Sequence, residues 1–209
     1  MVRKPVTKPL PALIRLHLTG LRLLLVFTVV CGLGYPLLIT GVAELALSGQ
    51  ANGSLVRLNG RTVGSSLLGQ TFGLRGGASI PDPRWFQPRP SAAGTGYDAA
   101  ASGASNLGPN DTSLTRTIKA RRLAIALFDR VAPSSVPPDA LTSSGSGLDP
   151  DISPAYAYEQ VDRVARARRL APATVRQLVV AHTQGRSVGF LGQPRVDVVT
   201  LNLALAKLG

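Results

Sequence analysis

The 209-residue sequence predicts an α+β protein, with a single N-terminal transmembrane helix followed by one exported α+β domain. Three observations predict this. An uncharged apolar run fills Leu23 to Ala43, the pair Asn59-Gly60 divides two short alternating segments, and beyond residue 111 the apolar spacing becomes helical with capping residues ahead of it. Hydrophobic residues make up 44% of the chain and charged ones only 16%, and the apolar excess lies near the N-terminus.

The run "LLLVFTVVCGLGYPLLITGVA" is long enough to span roughly 31 Å as a helix, against about 30 Å for a bilayer core. A cleavable secretory signal has an apolar core of about 7–15 residues, shorter than this one. Arg3, Lys4, Lys8, Arg15 and Arg22 precede the run with no acid among them, and Glu44 is the first charge after it. Basic flanks are retained on the cytoplasmic side. The expected organisation is therefore a cytoplasmic basic tail over residues 1–22, a span over 23–43 and an extracytoplasmic domain over 44–209. One span makes no pore. Within it Thr28, Gly32, Pro36 and Thr40 recur every four residues, and such a stripe of small and polar residues predicts contact with a partner helix. Pro36 removes one backbone hydrogen bond and should leave a carbonyl near Gly32 in need of a donor.

Of the 23 basic residues in the chain, five precede the span, so the exported part carries 18 against 11 acids. The chain's only cysteine, Cys31, falls in the span, so the exported part has none. A domain without disulfides is held by packing or by partners, which favours a bacterial envelope protein.

The exported elements follow in order. Asn59-Gly60 predicts a tight hairpin between strands near 54–58 and 61–65, because a type I′ turn needs positive φ at both central residues. "PDPRWFQPRPSAAG", 81–94, is too rich in proline for a helix. Residues 91–110 read as a long loop. Asp111 caps a helix over about 112–131, with Leu114, Ile118, Ile125 and Phe128 on one stripe and Arg121 in its middle. That arginine reads as a snorkelling side chain at the packed edge or as a charge seeking Asp149 or Asp151. A second Pro/Gly/Ser-rich loop covers 133–154. Helices are expected from about Pro154 to Arg169 and from Pro172 to about His182, and the apolar tail reads as helix from about Val198.

The loop "GSGLDPDISP", 145–154, offers two carboxylates among glycines and prolines. Ser153 and Pro154 fit the cap and first residue of a helix, and Asp149 and Asp151 lie where its positive end favours negative charge. A calcium loop would need further oxygen ligands, where Ala155 and Ala157 stand. No nucleophile or second acid group is evident for acid–base work. His17 and His182 are isolated in sequence, and "GRTVGSS" lacks the lysine of a phosphate loop. The basic stretch with Arg163, Arg166, Arg168, Arg169 and Arg176 has a helix-turn-helix look, but the orientation puts it outside the cytoplasm. No nucleic-acid partner is expected, and the arginines read as a solvated face or a subunit contact.

The stretches "GYPLLITG", "QANGSLV", "VGSSLLGQTF", "FQPRPSA", "ASGASNLGPN", "SGLDPDISPAYAYEQVDRVARAR" and "GFLGQPRVDVVTLNLAL" resemble, in order and spacing, the KdpC family. This is the small C subunit of the bacterial Kdp potassium-transporting P-type ATPase. The basic tail and the Trp of "RWFQPRP" depart slightly from the family pattern. The resemblance implies an accessory, non-catalytic subunit working with channel-like KdpA, the P-type ATPase KdpB and small KdpF. It implies a role in assembly and an effect on the ATP affinity of the ATPase subunit, as a catalytic chaperone. ATP is then the ligand of the complex, and no cofactor of the chain's own is implied. The competing reading is a free-standing envelope binding protein, anchored or secreted.

Overall fold

A computed structural model describes residues 11–74 and 80–208, arranged as two compact units that divide between Gly53 and Ser54. Arg3, Lys4 and Lys8, on which the orientation partly rests, lie outside the described residues.

The first unit is a helical rod of 35 residues, Ala12–Ala46. At 1.5 Å per residue it is about 52 Å long, more than a bilayer core requires. No side chain along it is buried, and it is apolar enough to cross a membrane. Its apolar surface suggests a membrane anchor. The rod has three parts: α1 (Ala12–Phe27), a π-helical segment (Thr28–Gly34) and α2 (Tyr35–Ala46). Pro36 explains the middle one. Its nitrogen carries no hydrogen and its ring crowds the preceding turn, so the α ladder cannot run through it. The wider turn takes up the mismatch, and the N–H of Tyr35 reaches back five residues to Val30 O. A short helix, α3 (Ser48–Ala51), closes the unit, with Asn52 bonded to Glu44 at 3.0 Å.

The second unit opens with the expected hairpin. β1 (Leu55–Leu58) and β2 (Arg61–Ser65) pair antiparallel, with a bulge between Val56 and Arg57. Asn59 and Gly60 have φ of 50° and 79°. α4 (Thr112–Asp129) is capped by Asp111, which accepts from the N–H of Ser113 and of Leu114. A second sheet, ordered β3-β5-β4 and antiparallel throughout, joins β3 (Asp151–Ile152), β4 (Thr183–Gln184) and β5 (Arg195–Asp197).

The expected helix over 154–169 is instead two, α5 (Pro154–Glu159) and α6 (Val161–Arg168), which meet at Gln160. The side chain of Gln160 explains the interruption. It is fully buried, accepts from Gln87 N at 2.6 Å and donates to Gln87 O at 3.1 Å. Asn202 does the same for Phe86, with both bonds at 2.9 Å. These two side-chain amides act as strand partners for Phe86 and Gln87 of the proline-rich segment, whose start at Pro81 is bridged to Gly73. α7 (Pro172–His182) and α8 (Val198–Ala206) complete the domain. The core gathers Phe86, Leu141, Ile152, Tyr156, Val161, Val164, Val175, Val179, Val196, Leu201 and Leu205.

Candidate functional site

Residues 145–154 lie at the meeting point of the domain's loops. Ser146 O accepts from Gly103 N at 2.8 Å and Ser102 Oγ at 3.0 Å. Gly147 O accepts from Ser91 Oγ at 2.6 Å, Leu148 O from Gly69 N at 2.8 Å and Pro150 O from Val198 N at 3.0 Å. Gly147 is required: its φ is 69°, and a Cβ there would sit 2.6 Å from Gly103 O and 2.7 Å from Ala93 N.

Ser153 caps α5, accepting from Tyr156 N at 3.0 Å, and Pro154 is the first helical residue. Ser153 is itself held by Asp139, whose two carboxylate oxygens accept from its N–H and its hydroxyl at 2.7 and 2.8 Å. Asp149 accepts from Asp151 N at 2.9 Å and pairs with Arg89 at 3.1 Å, while Asp151 pairs with Arg195 at 3.0 Å. Both carboxylates thus tie loops together as well as preceding a helix. Burial raises the Asp151 carboxyl to about 6, helped by Asp149 and by Asp197, its register partner across β3 and β5, and opposed by Arg195. Burial likewise raises the Tyr97 phenol, which donates to Arg89 O at 2.9 Å. A polar cleft of about 280 Å³ lies over these acids, edged by Arg89, Gln193 and Arg195. Among the described residues no group of three His, Cys, Asp or Glu is placed to hold a metal ion. Chemically, the loop is a set of filled acceptors and paired carboxylates.

Arg121 meets neither Asp149 nor Asp151, whose partners are other arginines. It donates to Leu141 O at 2.9 Å, and burial lowers its pKa. It lies on an apolar cleft of about 400 Å³ with Ile125, Phe128, Tyr97 and Tyr156. Of the arginines expected on a solvated face, Arg166, Arg169 and Arg176 are exposed, whereas Arg168 is half-buried and Arg163 turns inward. Arg163 is buried, paired with buried Asp129, and donates to Pro83 O, Trp85 O and Gln160 Oε1 at 2.7, 2.9 and 2.6 Å. Its guanidinium lies 4.6 Å from the Phe128 ring centre, and that of Arg168 lies 4.2 Å from that of Trp85. Asp129 and Trp85 lie far from these arginines in sequence, so no local pattern announced them. Beside this pair both Glu159 oxygens are buried without a donor, and burial with Asp129 nearby raises that carboxyl to about 7.

In the first unit Thr28, Gly32, Pro36 and Thr40 are all exposed. A Cβ on Gly32 would lie 3.9 Å from Thr28 Cγ2, so these two are neighbours on the rod. The π segment changes the rotation per residue, so the four do not form the evenly drifting stripe of an ideal α-helix.

Four of the motifs quoted from the sequence converge on the loop of a fifth. "FQPRPSA" supplies Arg89 and Ser91, "ASGASN" Ser102 and Gly103, "VGSSLLGQTF" Gly69 and "GQPRVDVV" Arg195 and Val198, all bonded to residues 146–151. Residues 17–207 match the family model described as K+-transporting ATPase, c chain (KdpC). The chain belongs to the KdpC family. Proteins called potassium-transporting ATPase KdpC subunit are similar over nearly their whole length. That of Kineococcus radiotolerans is 53% identical over 193 residues, 92% of this chain and 94% of the relative. That of Streptomyces avermitilis is 47% identical over 209 residues, 93% and 94% of the two chains. That of Sorangium cellulosum is 52% identical over 187 residues, 89% and 94%. The KdpC match takes in most of the apolar rod as well as the domain, so both belong to the subunit.

Proposed function

We propose that this chain is a non-catalytic, membrane-anchored subunit that supports assembly of a potassium-transporting P-type ATPase. In this reading the N-terminus is cytoplasmic and the domain extracytoplasmic. The rod lies against the channel-like subunit, with the ATPase subunit and the small peptide completing the complex. The observation that carries the reading is that the residues of the family motifs are spent on one another. Arg89, Ser91, Asp149, Asp151 and Arg195 bind loops of the same domain, which suits a rigid body presented to partners rather than a reaction centre. An effect on ATP affinity would then pass through the assembled complex, because this orientation leaves only the short tail on the nucleotide side.

A tag on this chain should bring down the channel-like and P-type ATPase subunits from mild detergent, and recovery of the chain alone would sink the proposal. Fused C-terminally to alkaline phosphatase, it should give activity in intact bacteria; an inactive fusion would reverse the orientation. Gly32→Leu should release the chain from the complex, whereas Leu24→Ala should not. Removing the chain should raise the ATP concentration needed for half-maximal hydrolysis.

A further inference from the structure

Residues 185–192, between β4 and β5, form an apolar finger. Ser187 and Leu191 exchange both backbone hydrogen bonds at 2.9 Å and close a tight loop. At its tip Val188 is 82% exposed, Phe190 68% and Leu191 53%, so large apolar side chains are turned to solvent rather than to the core.

The backbone of the tip is informative. Val188 and Gly189 have φ of 54° and 84°, close to the 50° and 79° of Asn59 and Gly60. Residues 188–189 thus repeat the left-handed pair made at 59–60. The first turn uses Asn-Gly, the pair that turn favours. The second puts a β-branched residue where such residues are strongly disfavoured. Turn formation alone would select Asn or Gly at 188, so the valine is explained by what its side chain does outside the fold. Strained residues of this kind persist where a fixed geometry is used.

We propose that the finger docks into an apolar recess on another polypeptide chain of the potassium-transporting ATPase, with Phe190 as its anchor. This rests on the reading of the chain as a subunit of that complex. Two observations favour a protein recess over lipid. A bilayer interface accepts apolar side chains from any backbone, so it gives no reason to hold valine at positive φ. The tip also lacks the basic cluster that draws a loop to anionic lipid: Arg186 is the only charge in residues 185–192, and Arg195 beyond them is engaged by Asp151. A preformed tip with a central aromatic is the usual make-up of an energetic anchor.

The test uses the full chain in its complex. A benzophenone-bearing phenylalanine in place of Phe190 is irradiated in intact membranes, and the adducts are identified by mass spectrometry. An adduct with another chain of the same ATPase is expected. Adducts with lipid only, with this chain only or with nothing would overturn the inference. Val188→Asn and Phe190→Ser are expected to leave the chain folded, with an unchanged or higher melting temperature. Each should release from the complex about tenfold faster in detergent. Unchanged release would also overturn it. If tagged wild-type chain retrieves no ATPase subunit at all, the subunit reading has failed first, and the two failures are distinguished.

Discussion

Two loops of this domain share a composition and differ in everything else. Residues 145–154 and 185–194 are both built on glycine, serine and proline, and each runs into a strand of the same three-stranded sheet. The first faces inward: its carbonyls are taken by residues from four separate segments, and its carboxylates by two arginines. In the second, the backbone hydrogen bonds of residues 186–191 close on one another, and its apolar side chains face out. Glycine and proline say that a chain turns, but the residues between them decide what the turn is for. Where those are Asp and Ser, the loop knits the domain together, and where they are Val, Phe and Leu, it is available to something else.

The comparison breaks most readily at glycine. Gly147→Ala should destabilise the domain by about 3 kcal/mol, adding left-handed strain to overpacking against Gly103 and Ala93. Gly189→Ala meets nothing within 4 Å and should cost only the strain, about 1–2 kcal/mol. Equal shifts in the urea midpoint would show that the two loops are tied in alike. Ser153→Ala comes next. It removes a helix cap and leaves Asp139 without its hydroxyl partner, so a loss of about 1–2 kcal/mol is expected in the same measurement.

Proton linkage sharpens the contrast. The folded-state pKa of Asp151 lies near 6, above its unfolded value, so the fold holds this proton more tightly than the unfolded chain does. Its contribution is fully present below about pH 4 and is lost as pH rises through about 6. Asp151→Asn should therefore raise stability at pH 7 by about 1 kcal/mol, allowing for solvent screening, and leave it unchanged at pH 3.5. Melting curves across that range check it, and a destabilised variant at pH 7 would mean that the Arg195 pair dominates. The smallest effect lies in the finger, where Val188→Asn should stabilise the isolated chain by about 0.5–1 kcal/mol.

What the sequence revealed was local. Asn59-Gly60, Asp111 ahead of α4, and Pro172 at the start of α7 act within a few residues, and the structure has all three elements. What escaped was set by distant partners. Gln160 interrupts a helix to hold Gln87, and Arg163 is buried because Asp129 lies 34 residues before it. The site divided in the same way. Ser153 and Pro154 were readable as a cap, whereas the arginines that hold Asp149 and Asp151 come from segments on either side of the loop. The quoted motifs contained Arg89 and Arg195, but only folding showed that they meet one loop.

The two buried amides also set a timetable for making the protein. The proline-rich strip at residues 81–94 cannot close until Gln160 and Asn202, 73 and 116 positions downstream, have been synthesised. During synthesis from the N-terminus, Phe86 must therefore wait, uncovered, until nearly the whole chain exists. Such long-range closure is slow. The domain thereby stays open through most of its own synthesis and locks only once α8 has been made.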